Sequence, residues 1–156
     1  MNGSVRFVEF QRDQLDELIV MWRRSFETAL DIVDPHPIAD QKEYFEERLL
    51  GAYDVRVALS GEQVVGFIAA SAAAVAQLYI HVDYQGQGIG SQLLDWAKAR
   101  SDGSLWLYTF ERNRRAQRFY EQRGFRVTAR GFEEDWQLED IRYEWSRSND
   151  DTTGTA

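Results

Sequence analysis

Three closely spaced glycines are the first residues in this sequence that could bind a ligand. Gly86, Gly88 and Gly90 alternate with Gln87 and Ile89, after an apolar run and before a segment with helical periodicity. Glycine lets the backbone approach a ligand closely and accept a positive φ. The helix that follows offers free N–H groups and the positive end of its dipole to an anion. The spacing therefore indicates a phosphate site, or else a tight turn whose glycines serve geometry alone.

Two well-known phosphate loops are excluded by the spacing. A Walker loop needs Gly-x-x-x-x-Gly-Lys-Ser/Thr, and no such string occurs. A dinucleotide fingerprint needs a third glycine where this sequence has Ser91 or Leu93, depending on the register. The loop also lies in the middle of the chain, whereas that fingerprint follows the first strand of a βαβ unit. Neither of these two nucleotide-binding folds is therefore predicted.

A cluster of arginines follows the glycine loop along the chain. The segment 112–130 holds seven arginines and one acid, Glu121, a net charge of +6 within a chain of net charge −8. Arg114 and Arg115 fall in the first turn of a predicted helix, where the dipole disfavours cations by about 0.3–1 kcal/mol. A nearby anion would offset this cost. We therefore expect Arg114, Arg115 or Arg118 to hold ligand phosphates; the alternative is a solvated helix face paired with surface acids.

The composition of the 156 residues excludes several classes of function. A net charge of −8 argues against general nucleic-acid binding, which needs a basic surface. The absence of cysteine excludes disulfides, thiolate zinc sites and a cysteine nucleophile, and two histidines argue against a histidine-rich metal site. No apolar run approaches the ~18 residues of a membrane span, and the first residues lack the apolar region of a secretory signal. A cytoplasmic protein is the resulting expectation.

Hydrophobic periodicity predicts the elements that must position these residues. The predicted strands are Val5–Phe10, Asp54–Leu59, Gln63–Ala70, Val75–Val82, Leu105–Phe110, Phe125–Arg130 and Asp140–Trp145. The predicted helices cover residues 11–30, 40–50, from the glycine loop to about Arg100, and from an Asn113 N-cap to Gly124. The order βααβββαβαββ predicts a mixed α/β fold, with a mostly antiparallel central sheet of about seven strands flanked by about four helices. We expect one domain, 1–146, and a flexible polar tail, 147–156.

Two stretches together carry a resemblance to a known family. Within Leu78–Leu94, the pattern Gln85-x-x-Gly88-x-Gly90 resembles the acetyl-CoA motif of the GNAT superfamily of N-acetyltransferases. About twenty residues later, Leu105–Asn113, Ala116, Phe119-Tyr120-Glu121 and Gly124-Phe125 resemble the second signature of that family. The terminal Asp140–Trp145 is similar to its closing strands, and the element order fits from about residue 5 to 146. Two motifs in the right order make the resemblance specific.

The resemblance implies acetyl-CoA as cosubstrate and no metal. It implies that the main chain of Leu78, Tyr79 and Ile80 pairs with the pantetheine arm as an added strand would. The pyrophosphate would be held by backbone amides of the glycine loop, and the residues assigned there are Gln85, Gly86, Gln87, Gly88, Ile89, Gly90 and Ser91. Asn113 would contact the cofactor arm and also cap its helix, and Arg115 is the arginine that we assign to the phosphates.

The same resemblance implies roles in acetyl transfer. Tyr120 matches the family's general acid toward the CoA sulfur, the alternative being a core aromatic beside Phe119. The Ile80 N–H would polarise the thioester carbonyl as an oxyanion donor. A base must take a proton from the acceptor amine, and for this we select Glu111, with Glu27, Asp83 and His81 as further candidates.

The acceptor is expected to be a primary amine of a small molecule or peptide, attacking directly in a ternary complex. An acidic groove lined by aromatic residues of the first two helices would attract a cationic amine; the candidates are Trp22, Phe26, Tyr44 and Phe45. A different class of function stays open, namely a non-catalytic or regulatory CoA-binding module. Many members of the family pair through edge strands, so the resemblance also allows a homodimer; no nucleic acid or membrane is expected as a partner.

Overall fold

The secondary structure elements follow one another in the predicted order, βααβββαβαββ. The computed structural model describes residues 4–148. The elements in that range are β1 (Val5–Glu9), α1 (Leu15–Leu30), α2 (Ile38–Tyr44), β2 (Asp54–Ser60), β3 (Gln63–Ala70), β4 (Val75–Ile80), α3 (Ile89–Arg100), β5 (Ser104–Phe110), α4 (Arg114–Glu121), β6 (Arg126–Glu133) and β7 (Leu138–Ser146). The mixed α/β class with antiparallel strand pairs is confirmed.

The strands form two antiparallel sheets. The first has the order β1-β2-β3-β4, and the second has the order β5-β7-β6, so the last strand lies in the centre of its sheet. The two sheets meet at an isolated parallel bridge between Ala74 and Trp106, where the Trp106 N–H donates to the Ala73 carbonyl at 3.0 Å. Beyond this bridge no ladder joins β4 to β5 within residues 4–148, so a cleft separates the two strands.

Helices cover both faces of the two sheets. On one face, α1 and the segment after α2 enclose a core that includes Leu18, Ile19, Trp22, Phe45 and Phe67. On the other face, α3 and α4 enclose a second core that includes Leu93, Leu94, Tyr120, Tyr143 and Trp145. Each helix layer thus buries the apolar stripe that its periodicity predicts.

The first helix and the last strand show how local pattern becomes packing. Leu15, Leu18, Ile19 and Trp22 recur at intervals of three and four residues and are buried. The helix ends where Asp31 adopts a left-handed conformation, with φ of 54°. In β7 the apolar residues alternate with polar ones, and the buried members are Ile141, Tyr143 and Trp145.

Some boundaries differ from the predicted ones for identifiable reasons. β4 ends at Ile80 because the next residues form a 3₁₀ turn, which His81 caps by accepting the Asp83 N–H at Nδ1 over 3.0 Å. The predicted second helix changes at Phe45–Leu49 into a π-helical turn, closed by the Leu50 N–H on the Phe45 carbonyl at 3.0 Å. β6 runs to Glu133, beyond the predicted Arg130. Its end could not be predicted from alternation, because almost all its residues are exposed.

The two ends of the domain complete the fold. The Arg147 N–H donates to the Gly103 carbonyl at 2.8 Å, whereas residues 149–156 of the predicted tail lie outside the described residues. β6 forms one edge of the second sheet; the homodimer through such an edge stays a prediction. No helix within residues 4–148 has both the length and the apolar composition needed to cross a bilayer.

Candidate functional site

The divergence of β4 and β5 opens a cavity of about 610 Å³. Its inner half is lined by the facing strands and by α4, through Val75–Tyr79, Leu107–Phe110, Asn113, Ala116 and Tyr120. Its outer half is lined by α1, α2, the loop between them and the turn between β6 and β7. One continuous space therefore connects the two halves.

The main chain of β4 is available to a ligand along the cleft. The His81 N–H donates to the Val65 carbonyl of β3 at 2.8 Å. Because successive residues of a strand direct their N–H groups to opposite sides, the N–H groups of Leu78 and Ile80 point away from β3. The Ile80 carbonyl on that side accepts from Ser25 Oγ at 2.8 Å and Gln85 Nε2 at 3.1 Å. Leu78 and Tyr79 line the cavity, and Ile80 lies just beyond it.

The glycine loop has the backbone conformation that its sequence predicts. Gly86 and Gly88 have φ of 80° and 86°, and Gly88 is the N-cap of α3. Gly90 serves packing, because a Cβ there would lie 3.3 Å from the Phe119 ring. The loop lies outside the cavity lining. Its first residue is bound to β4 through the Gln85–Ile80 hydrogen bond, so the loop is held beside the end of that strand.

The arginines of the basic segment have separate environments. The Arg115 guanidinium lies beside the glycine loop, 3.8 Å from the position a Cβ on Gly86 would take. Arg123 donates to Ser91 Oγ at 2.7 Å and lies over the Phe119 ring at 4.0 Å. Arg114 instead lines a small depression at the start of α4, together with Glu111, Arg112 and Glu139. The two neighbouring arginines, which the sequence does not distinguish, therefore have different surroundings: Arg115 lies beside the glycine loop and Arg114 does not.

Tyr120 is both a packed aromatic and a cavity residue. It is 7% exposed, with its ring edge-on to Phe119 at 5.1 Å and to Phe125 at 5.4 Å. Burial, and to a lesser extent the charge on a Tyr79 phenolate, raises the pKa of Tyr120 above its ordinary value. Burial likewise raises the pKa of Tyr79. Both phenols therefore keep their protons at neutral pH.

Asn113 has the capping role expected of it. Its Oδ1 accepts the Ala116 N–H at 3.0 Å, and the residue also lines the inner half of the cavity. The carboxamide nitrogen is left for a second partner. Capping and a contact with a bound ligand are therefore compatible at this position.

The structure brings none of the four predicted bases to the cavity lining. Glu111 lies in the small depression, and its carboxyl group raises the pKa of the exposed Glu139 by hydrogen bonding and by charge repulsion. Glu27 accepts the Asp34 N–H at 2.7 Å. Asp83 is exposed, and His81 is engaged in its 3₁₀ cap and packs edge-on to Tyr84.

His36, which is not among the predicted bases, lies in the outer half of the cavity. His36 Nδ1 and Asp34 Oδ1 are 2.7 Å apart, and Arg23 Nη2 lies 3.4 Å from Asp34 Oδ2. Arg23 is held in turn by Gln41, which accepts from Nε at 3.0 Å. In the sequence, Asp34-Pro35-His36-Pro37 indicates only the end of a helix. The one sequence feature that points to the hydrogen bond is the spacing of Asp34 and His36 by two residues.

Trp136 closes the outer half from the β6–β7 turn. Its ring lies 5.0 Å from Phe26 and 5.2 Å from His36, and its backbone N–H donates to Glu133 Oε2 at 2.7 Å. The predicted groove aromatics Trp22, Phe26 and Tyr44 line the cavity as well. The prediction for Phe45 was wrong, because this ring is fully buried against Phe10 and Phe67 in the core.

The outer half is strongly acidic. Its carboxylates outnumber its single arginine, Arg23, and they are Asp34, Asp40, Glu133, Asp135 and Asp140. Carboxylates beside aromatic faces favour a cationic group. Among residues 4–148, no three His, Cys, Asp or Glu side chains come together as a group that could hold a metal ion.

Comparisons with known proteins agree with this geometry. The family profile described as "Acetyltransferase (GNAT) domain" matches residues 51–127. The chain is 30% identical over 120 residues to the peptidyl-lysine N-acetyltransferase YjaB of Salmonella typhimurium strain LT2, covering 77% of this chain and 82% of that protein.

Solved structures match the fold over nearly the whole chain. The solution structure of apo YjaB from Escherichia coli superposes with a TM-score of 0.75 at 23% identity, over 91% of this chain and 97% of that one. The crystal structure of the PaiA N-acetyltransferase from Thermoplasma acidophilum in complex with coenzyme A gives a TM-score of 0.75 at 21% identity, over 92% and 99% of the two chains.

Proposed function

Because the chain belongs to the GNAT family of acetyltransferases, we propose that it moves an acetyl group from acetyl-CoA to a primary amine by direct attack in a ternary complex. The observation that carries this proposal is the single cavity between β4 and β5. It joins the open main-chain edge of β4, the Tyr120 phenol and an acidic, aromatic outer wall. A donor and an acceptor could therefore meet inside it.

The inner half fits acetyl-CoA, which supplies an acyl carbon activated by its thioester. The N–H groups of Leu78 and Ile80 are free of β3, as the pantetheine arm of acetyl-CoA requires. Residues 85–91 offer the start of α3 to the pyrophosphate, and Arg115 lies beside Gly86 with a positive charge. Asn113 would contact the arm through its carboxamide nitrogen.

The transfer forms a bond between the acceptor nitrogen and the acyl carbon and breaks the bond between that carbon and sulfur. The Ile80 N–H would donate to the carbonyl oxygen as negative charge develops there. Tyr120 would give its proton to the departing sulfur. Burial keeps the Tyr120 phenol protonated, so the residue has a proton to give.

The base has two candidates. Glu111 remains the predicted base, although its side chain would have to act from outside the cavity lining. His36 is favoured by a specific observation: its imidazole lies on the cavity, and its Nδ1 is hydrogen-bonded to the Asp34 carboxylate, which leaves Nε2 for the acceptor amine. Loss of the acidic limb of the pH profile in either His36→Gln or Glu111→Gln identifies the base.

The acceptor that fits the outer half is a cationic amine, and a peptide lysine is the first choice. The relative in Salmonella is named for peptidyl-lysine acetylation. The carboxylates of the outer wall and the rings of Phe26 and Trp136 suit a lysine ammonium before it loses its proton. A small-molecule amine would use the same groups.

Release of free CoA thiol from acetyl-CoA tests the function in a panel of peptides, polyamines, amino acids and aminoglycosides. We expect turnover with lysine peptides or other cationic amines and thermal stabilisation by acetyl-CoA. Turnover of anionic acceptors alone would reject the acceptor proposal. Stabilisation without turnover by any acceptor would favour a regulatory CoA-binding module, and no stabilisation would contradict both.

A further inference from the structure

One buried hydroxyl in the cavity has no partner within the protein. Thr109 is 9% exposed, and its Oγ1 is buried without a hydrogen-bond partner among the described residues. The large majority of buried side-chain polar atoms are hydrogen-bonded, because an unpaired one loses its contacts with water and gains nothing. A threonine in this state therefore needs an explanation that the folded chain alone does not supply.

Two other buried side-chain atoms within residues 4–148 share this condition, and both belong to groups with other partners. Arg23 Nη2 lies 3.4 Å from Asp34 Oδ2, and the same guanidinium donates to Gln41. Arg56 Nε belongs to a guanidinium that lies over the Trp96 ring at 5.4 Å, and Arg56 does not line the cavity. Thr109 differs from both, because its hydroxyl is its only polar side-chain group.

The position of Thr109 in β5 places it in the inner half of the cavity. Thr109 lies opposite Ile141 of β7 and shares the buried face of β5 with Leu105 and Leu107. Leu78 of β4 and Tyr120 of α4 line the same cavity. Thr109 therefore lines the half of the cavity assigned to the donor.

We infer that the Thr109 hydroxyl donates a hydrogen bond to a carbonyl oxygen of the acyl-pantetheine arm of acetyl-CoA. This inference rests on the proposed function, since it needs acyl-CoA in the inner half of the cavity. Thr109 is then a cofactor-binding residue on β5, facing the main chain that β4 offers to the same arm. Packing alone gives no reason for the hydroxyl, because valine has the same shape and no polar atom to bury.

The isosteric variant Thr109→Val tests the inference, because its stability should be kept or raised while its affinity for acetyl-CoA should fall. Thermal unfolding without ligand should show a melting temperature equal to or above that of the unaltered protein, since an unpaired buried hydroxyl is removed. Isothermal titration should show affinity for acetyl-CoA lowered about three- to ten-fold, the loss of one hydrogen bond. Thr109→Ser, which keeps the hydroxyl, should retain most of the affinity.

A matched control is Thr128→Val on β6, where the hydroxyl already accepts from Arg142 Nη1 at 3.3 Å at an exposed position. This variant should leave acetyl-CoA binding unchanged. Titration of Thr109→Val with CoA as well as acetyl-CoA identifies the carbonyl. Weaker binding of both ligands indicates an amide of the pantetheine arm, and weaker binding of acetyl-CoA alone indicates the acyl group.

Unchanged acetyl-CoA affinity in Thr109→Val would overturn the inference while leaving the proposed function intact. A melting temperature of Thr109→Val below that of the unaltered protein, without ligand, would also overturn it, because the hydroxyl would then have a partner in the protein. Failure of the unaltered protein to bind either ligand would remove the proposed function and this inference together.

Discussion

Tyr120 combines packing and chemistry in one side chain. Its ring is held edge-on by Phe119 and Phe125, while the residue lines the cavity between β4 and β5. Tyr120→Phe keeps the ring and removes the proton donor. We expect turnover at saturating substrates to fall about a hundred-fold or more, with acetyl-CoA affinity within two-fold (~0.4 kcal/mol) of the unaltered protein.

Tyr143→Phe is the matched control for this change. The Tyr143 hydroxyl donates to Glu121 Oε2 at 2.6 Å, and Tyr143 does not line the cavity. Removal of this hydroxyl should lower the melting temperature and leave turnover unchanged. Equal losses of turnover in the two variants would show that the effect of Tyr120→Phe is structural.

The raised pKa of Tyr120 predicts the alkaline side of the pH profile. A phenol whose pKa lies above its usual value stays protonated to higher pH, so a general acid of this kind is not lost through pH ~10, the ordinary pKa of tyrosine. Turnover at saturating substrates should therefore show no alkaline fall below that pH. A fall centred near pH 8 that disappears in Tyr120→Phe would contradict the raised pKa, because it would show that Tyr120 loses its proton there.

Arg115 and Arg114 give a paired test of phosphate binding. Arg115→Gln removes the guanidinium beside Gly86 and should raise the KM for acetyl-CoA about ten-fold, with a weaker dependence of KM on salt. Arg114→Gln, in the small depression with Glu111 and Glu139, should change neither quantity. Equal effects of the two substitutions would indicate general attraction by the basic segment and contradict a specific role for Arg115.

The sequence identified residues whose role follows from local spacing and missed those whose role depends on distant neighbours. The glycine spacing marked the positive-φ positions Gly86 and Gly88, and the N-cap at Asn113 follows from its place before a helix. Thr109 is unremarkable in sequence, because its missing hydrogen bond can be seen only once the surrounding chain is placed. His36 likewise needs the facing Trp136 ring, about a hundred residues away, to be recognised as part of a wall.

At the scale of elements, the turn between β6 and β7 forms one side of the outer half. Trp136→Ala removes the ring contacts with Phe26 and His36 but leaves the backbone bond to Glu133 that braces the turn. Since such aromatic contacts contribute about 0.5–1.5 kcal/mol each, the KM for a lysine peptide should rise about five-fold or more. The KM for acetyl-CoA should stay constant.

Trp106→Ala is the control for the turn, because Trp106 lies on β5 outside the cavity lining, with Arg142 over its ring at 5.1 Å. It should leave the KM for the peptide unchanged. A rise in the KM for acetyl-CoA equal to that for the peptide, in Trp136→Ala, would show that the turn shapes the whole cavity and not the acceptor half.

The existence of each element could be predicted from sequence, whereas their pairing could not. The periodicity of α1 and the alternation of β7 report burial directly. Nothing local in β7 shows that it lies between β5 and β6, or that β4 and β5 separate after the Ala74–Trp106 bridge. That separation joins residues distant in the chain around one cavity, which local sequence does not report.

At the scale of the whole molecule, the net charge of −8 conceals two regions of opposite sign. The basic segment 112–130 adjoins the glycine loop, and the acidic residues of the cavity lie on its outer wall. With acetyl-CoA saturating, kcat/KM for a lysine peptide should fall about three- to ten-fold from 50 to 500 mM salt, because salt screens exposed charges. An uncharged aniline acceptor should show little change.

The double variant Asp40→Asn/Asp135→Asn isolates the source of this salt dependence. Both carboxylates line the outer half, and neither forms an ion pair within residues 4–148. The variant should lower kcat/KM for the peptide at low salt and flatten its salt dependence. A steep dependence that survives in the variant would place the attraction elsewhere on the surface.

The separation of the two sheets also has a consequence for amide exchange with solvent. With β4 unpaired on its cleft side, the amide protons of Leu78 and Ile80 should exchange quickly, while those of Tyr79 and His81, which face β3, should exchange slowly. A bound pantetheine arm would slow Leu78 and Ile80 and leave their neighbours unaffected. Ligand binding would then be recorded along β4 as protection at every second residue, much as if an eighth strand had been added to the fold.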